Sequence, residues 1–205
     1  MENNYDFYIP DYEEFRKGYE SYNRFERRGP VYFEALSVIN HNWGNTYFIA
    51  KGIERLIRCW NRFYANFNLE ELVECVKRNF PVLNEFRNRN IESLSDNDWE
   101  AIKYLFNQFL RALKRKIDGR MSPVSVAKSF NLVAPSFLPL WDSNIAFKYN
   151  CFYFSESAGK EYFDFCKKMQ IMAENVRTYV PLLDDRSLLK RIDEFNYSRY
   201  TMHWI

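Results

Sequence analysis

The chain has 205 residues, with 29 Lys and Arg against 27 Asp and Glu for a net charge of +2, and it is 47% hydrophobic and 19% aromatic. A disordered chain lacks the apolar side chains that offset the entropy of ordering, so this composition excludes disorder and predicts a packed core. Six Gly and seven Pro argue against a loop-rich or all-β architecture, and the length suits one domain or two small lobes.

Helical signals follow one another along the chain. Asp11 to Arg28 reads as a charged, aromatic-rich helix closed by Gly29-Pro30, and a second helix is expected from Val31 to about Asn40. From Asn45 to Tyr64 the stripe Phe48, Ile49, Gly52, Ile53, Leu56, Ile57, Trp60, Phe63 and Tyr64 has helical spacing. Its opposite face carries Lys51, Arg55, Arg58 and Arg62, a basic ridge that is either a solvated face or a phosphate contact.

Asn68 is suited to cap a helix starting at Leu69, which Phe80-Pro81 is expected to end, with a short helix over Pro81–Arg89 after it. Ser95 and Asp98 form a capping-box pattern ahead of a stripe running from Trp99 to Ile117, with Gly119 as its stop and Lys114-Arg115-Lys116 in its last turn. Ser122 and Pro123 then launch a helix over Val124–Val133. Residues 135–141 form an apolar connector whose two prolines forbid helix, Asp142-Ser143-Asn144 restarts one at Ile145, and further helices are expected over Glu161–Tyr179 and near Asp185–Phe195. The expected fold is all-α, a two-lobed helical bundle with a cleft, the lobes formed by about 31–118 and by 119–205 with the N-terminal segment.

Charge is unevenly spread: residues 1–50, 51–128 and 129–205 sum to −3, +5 and 0, a basic middle that permits an anionic partner. Cys59, Cys75, Cys151 and Cys166 are scattered, the N-terminus is acidic without an apolar leader, and no apolar run approaches the roughly 20 residues of a membrane span. These features predict a reduced, cytoplasmic protein with no membrane association. His41 and His203 cannot complete a zinc site with thiols so dispersed, so no metal is expected, and no cofactor motif is present. Templates for serine, cysteine and zinc-dependent hydrolysis are absent as well.

The dense constellation is residues 121–146, MSPVSVAKSFNLVAPSFLPLWDSNIA, ending in Leu138-Pro139-Leu140-Trp141-Asp142-Ser143-Asn144-Ile145. Over about 25 residues it resembles the central signature of the helix-hairpin-helix DNA glycosylase superfamily. The resemblance implies a DNA-binding enzyme that flips and removes a damaged or modified base, acting as a monomer. Asp142 falls on that family's carboxylate, which stabilises the oxocarbenium-like sugar as the base departs. As read from sequence alone, Asp142 is also a good helix N-cap.

The same resemblance makes Lys128 the candidate amine for a Schiff-base lyase step. Lys128 lies 14 positions before Asp142, several fewer than the family's usual spacing, and Val124 stands nearer to it. A water-using, monofunctional reaction is therefore the other expectation. The family's glycine hairpin is replaced by Ser122-Pro123-Val124-Ser125, so Arg120, Ser122 and Ser125 are the expected phosphate contacts. Base flipping needs a wedge and an aromatic pocket, for which Trp43 and Trp141 are candidates. A helical DNA- or protein-binding module that has lost the chemistry is the alternative, favoured by the missing glycines.

Overall fold

The computed structural model describes residues 5–154, 157–179 and 186–205. Among them, nine α-helices and no strands are found: α1 Tyr12–Phe25, α2 Gly29–His41, α3 Thr46–Trp60, α4 Leu69–Arg87, α5 Trp99–Ala112, α6 Pro123–Val133, α7 Ser143–Lys148, α8 Ala158–Val176 and α9 Leu188–Asn196. The all-α expectation is met. No helix among the described residues is long and apolar enough to cross a membrane.

Several boundaries follow their caps. Asp11, Asn45, Asn68, Ser122, Asp142 and Ser187 each accept a backbone N–H of the first turn of the helix they precede. At Ser95 and Asp98 the reciprocal capping box is present, opening a 3₁₀ turn that leads into α5.

Other boundaries differ from expectation, each for a local reason. Gly29-Pro30 opens α2 rather than closing α1, because proline's missing N–H costs nothing in a first turn. The chain leaves α1 at Phe25, where the Glu26 carboxylate accepts the Arg28 backbone N–H and its guanidinium. Pro81 does not end α4, which continues through it to Arg87; Leu83 and Phe86 on the later turns are buried, and their packing offsets the lost backbone hydrogen bond. The third helix stops at Trp60, and residues 62–64 form a separate 3₁₀ turn that carries Arg62 away from α3.

The largest correction concerns α5, which stops at Ala112. Lys114-Arg115-Lys116 therefore lies outside the helix, in the 113–122 hairpin that joins α5 to α6. That hairpin is closed by Arg115 N–H to the Arg120 carbonyl and Gly119 N–H to the Arg115 carbonyl, both 2.9 Å, with Gly119 at φ +69°. The expected start of the last helix at Asp185 lies outside the described residues.

Helix α3 packs against α2, α4 and α6, while α1 and α9 pair and α5 pairs with α8. Helix α6, expected in the second lobe, packs on α2, α3 and α5. One continuous cluster of buried apolar residues runs through all of these helices. Helices α2 and α3 approach closely where Gly52 leaves room for Ile39 and the Ala35 carbonyl.

Candidate functional site

Helix α6 is buried along nearly its whole length, and its start is tied to the end of α3. The Asn61 amide donates to Ser122 Oγ (3.0 Å) and Ser125 Oγ (2.7 Å). The next part of the chain is fixed with equal care. Asn131 donates to the Leu138 carbonyl at 2.8 Å, and the buried Tyr162 hydroxyl donates to the Pro139 carbonyl at 2.8 Å. These bonds satisfy polar groups that the non-helical connector would otherwise bury without partners, and they deliver Asp142 to the start of α7.

The Asp142 carboxylate uses both oxygens. Oδ1 accepts the Ile145 N–H at 2.9 Å as an N-cap, and Oδ2 accepts the Thr201 hydroxyl at 2.7 Å from the wide turn Tyr197–Thr201 that follows α9. Asp142 is thus held from two sides of the fold. It lines a cavity of about 220 Å³ together with Lys128, Trp60, Trp141, Tyr22, Arg28 and Asp193. That volume lies below the roughly 300–1,000 Å³ of sites for drug-sized ligands and suits a single small ring system.

Lys128 points into this cavity from α6. Its ammonium donates to the Trp60 carbonyl at 2.9 Å and lies 5.8 Å from the Trp60 ring centroid. Burial disfavours the charged amine and pulls it from 10.5 down to about 8, against the opposing pull of Asp142 and Asp193. Lys128 is therefore an amine that loses its proton far more readily than an exposed lysine.

A second carboxyl, Asp193 of α9, reaches the same cavity. Burial pushes it above the usual carboxylate range, with the Asp142 charge adding to the effect and Lys190 opposing it. Lys190 is 1% exposed and contacts Asp193 at 2.8 Å and Glu194 at 3.4 Å, beneath the Tyr22, Tyr32 and Trp60 rings. At the opposite wall Glu26 grips Arg28, whose guanidinium also donates to the Tyr197 hydroxyl at 2.7 Å.

The structure thus brings together Asp142, Lys128 and Trp141. Trp141 is buried among Phe106, Tyr162 and Phe165, so it is a wall and not a mobile wedge. Trp43 is likewise fixed: its indole N–H donates to Asn84 at 2.8 Å, Phe80 packs on it, and the Arg87 guanidinium sits 4.0 Å over its ring. Neither indole is placed to leave its neighbours and enter a base stack.

The expected phosphate contacts change in the same way. The hydroxyls of Ser122 and Ser125 are buried and face Asn61 instead of solvent. The ridge is ion-paired at three of its four positions, Lys51 and Arg58 sharing Glu54 and Arg55 meeting Glu34, so two carboxylates offset two of its four charges. Arg62 sits on the 3₁₀ turn and makes no ion pair among the described residues, while the ion pair of exposed Arg120 with Asp118 is loose at 3.4 Å.

Sequence reading missed Tyr22, Arg28, Asp193 and Thr201. They come from the two ends of the chain, and nothing near residues 121–146 points to them. One signal was available: Lys190, Asp193 and Glu194 stand among the apolar residues of a short helix that is buried all round. Charges on such a helix mark a polar core or the edge of a cavity. Comparisons of this chain with protein-family models, characterised proteins and solved structures found no match.

Proposed function

We propose that the protein is a DNA glycosylase-like base-excision enzyme, a divergent relative of the helix-hairpin-helix superfamily that acts as a cytoplasmic monomer. The observation that carries this reading is the convergence of Asp142 and Lys128 on one small aromatic-walled cavity. A helix, a hairpin, a second helix and a connector lead into it, ending in a carboxylate at the next helix start.

In the proposed reaction a base is held among the rings of Tyr22, Trp60 and Trp141. The glycosidic C–N bond breaks, its electron pair leaves with the base nitrogen, and positive charge grows on the sugar carbon. Asp142 stabilises that charge. The Ile145 amide and the Thr201 hydroxyl fix the carboxylate's direction before reaction, so little reorganisation is needed. Water then adds to the sugar carbon, and the proton it gives up passes to the departed base nitrogen, leaving a neutral base and a hydroxyl on the sugar. In the alternative reaction the free amine of Lys128, half deprotonated at about pH 8, attacks the same carbon in place of water and loses its proton as the new C–N bond forms.

The test is release of free base from duplexes carrying a panel of damaged and modified bases. Asp142→Asn is expected to lower release by roughly 100-fold or more with an unchanged circular dichroism spectrum. Borohydride trapping decides the role of the amine, since a lyase leaves a covalent adduct that Lys128→Ala removes. A chain that binds these duplexes yet releases no base from any of them is the non-catalytic binding module.

A further inference from the structure

A ladder of aromatic rings leads from the cavity wall to the surface beside Asp142. Trp141 stacks on Tyr153 with centroids 4.8 Å apart and planes at 27°, and Tyr153 stacks on Phe152 at 5.8 Å and 13°. Phe147 and Phe154 meet Phe152 edge-on at 6.2 and 5.9 Å. The outer rings face water: Phe152 is 50% exposed and Phe154 76%. Isolated surface apolar residues are ordinary, but a contiguous group of this kind marks a binding surface.

The backbone under Phe154 is firmly held. Its N–H donates to Ser157 Oγ at 3.2 Å, and the Ser157 hydroxyl and amide donate to the Phe154 carbonyl at 3.2 and 3.0 Å. Phe154 and Tyr153 line an open groove of about 470 Å³ with Tyr64, Pro123 and Asp142. Asp142 belongs both to this groove and to the enclosed cavity. Next to Tyr64, Phe63 lies under two guanidiniums, Arg115 at 3.8 Å and Arg120 at 6.0 Å from its ring centroid, and it directly follows Arg62.

Flat rings presented to water beside spaced cations complement a ligand made of flat bases joined by phosphates. An apolar peptide would match the rings and leave the cations unanswered. We propose that Phe152 and Phe154 form a stacking platform for an unpaired nucleobase of a nucleic-acid strand whose phosphates run along Arg62 and Arg120. The proposal rests on the base-excision reading for its location only: the stacked base is a strand neighbour of the one in the cavity.

Fluorescence anisotropy with a short fluorescein-labelled oligodeoxythymidylate, and with an abasic strand of equal length, tests it on the full chain. Phe154→Ala and Phe152→Ala are each expected to weaken thymidylate binding about tenfold without changing its salt dependence, and Phe154→Trp to restore it. The abasic strand should be indifferent to these changes. Arg62→Ala and Arg120→Ala are expected to flatten the salt dependence for both strands.

Unchanged thymidylate binding by the two alanine variants overturns the proposal. So do equal losses on the abasic strand, or salt-independent capture of an apolar peptide in place of the strand. Base release by a Phe154→Ala variant with intact strand binding removes the platform and leaves the excision reading standing. Impaired strand binding by that variant, in a chain that never releases base, does the reverse.

Discussion

Asp142 combines a structural and a chemical position in one side chain. As an N-cap it needs a β-region backbone and an oxygen aimed at the first turn of α7, and that requirement alone orients its carboxylate beside the cavity. Lys128 is the residue whose behaviour depends most on its surroundings. Its amine titrates near 8 when folded and near 10.5 in an unfolded chain. Between those values the unfolded state binds more protons at this group, so the Lys128 contribution to stability rises with pH across that window and is flat below about 8, where both states are protonated, while buried thiols such as Cys75 and Cys151, pushed up by burial, act in the opposite direction. Lys128→Met is expected to remove this contribution, so that its stability relative to the unaltered chain falls as pH rises, measured by urea unfolding at pH 7.5, 9 and 10. Because the Asp142 charge favours the ammonium, Asp142→Asn should also move half-maximal modification of Lys128 by an amine reagent to a pH lower than in the unaltered chain, whereas an unmoved midpoint would place the two groups out of electrostatic reach.

Among the helices, α2 and α3 meet closely at Gly52. A Cβ at position 52 would lie 2.6 Å from Ile39 Cγ1 and 2.9 Å from the Ala35 carbonyl oxygen, and the backbone atom cannot move aside without bending α2. Gly52→Ala is expected to cost about 1–3 kcal/mol in denaturant unfolding, the opposite sign to its gain in helix propensity. Caps were legible at this scale because each is a local rule satisfied within four residues. Helix ends that depend on what lies opposite were not. The run from Trp99 to Ile117 keeps an apolar rhythm past Ala112, yet Ile117 is largely exposed and the chain turns away to close the hairpin. The sequence around Phe80-Pro81 carries a stop signal, but burial of the following turn overrides it.

Across the whole molecule, α9 and the turn after it close the cavity from the far end of the chain. Lys190 there holds two carboxylates in a nearly dry setting, a pairing that is costly to build and more costly to break. Lys190→Met is expected to lower stability by about 3–5 kcal/mol, since Asp193 and Glu194 would lose a shared partner, although Glu194 keeps Arg186 at 2.9 Å. Adding Asp193→Asn should recover part of that loss. Additive losses in the double variant would show that Lys190 and Asp193 do not act as a pair.

The sequence by itself determined the helical class and most of the caps, and it singled out Asp142 and Lys128, which line one cavity, because periodicity, capping and a short motif are all encoded within a few turns. Only the tertiary structure decided which charges remain available. Glu34 and Glu54 offset half of the charge of the ridge, and Asn61 takes up the two serine hydroxyls from a distant part of the chain. It also decided that Trp43 and Trp141 are fixed walls while Phe152 and Phe154 stand in water, since an aromatic side chain reads the same in sequence whether its neighbours cover it or not. Burial, ion pairing and the shape of a cavity are properties of residues that meet across the fold, and for this chain they connect its first helix, its centre and its last turn.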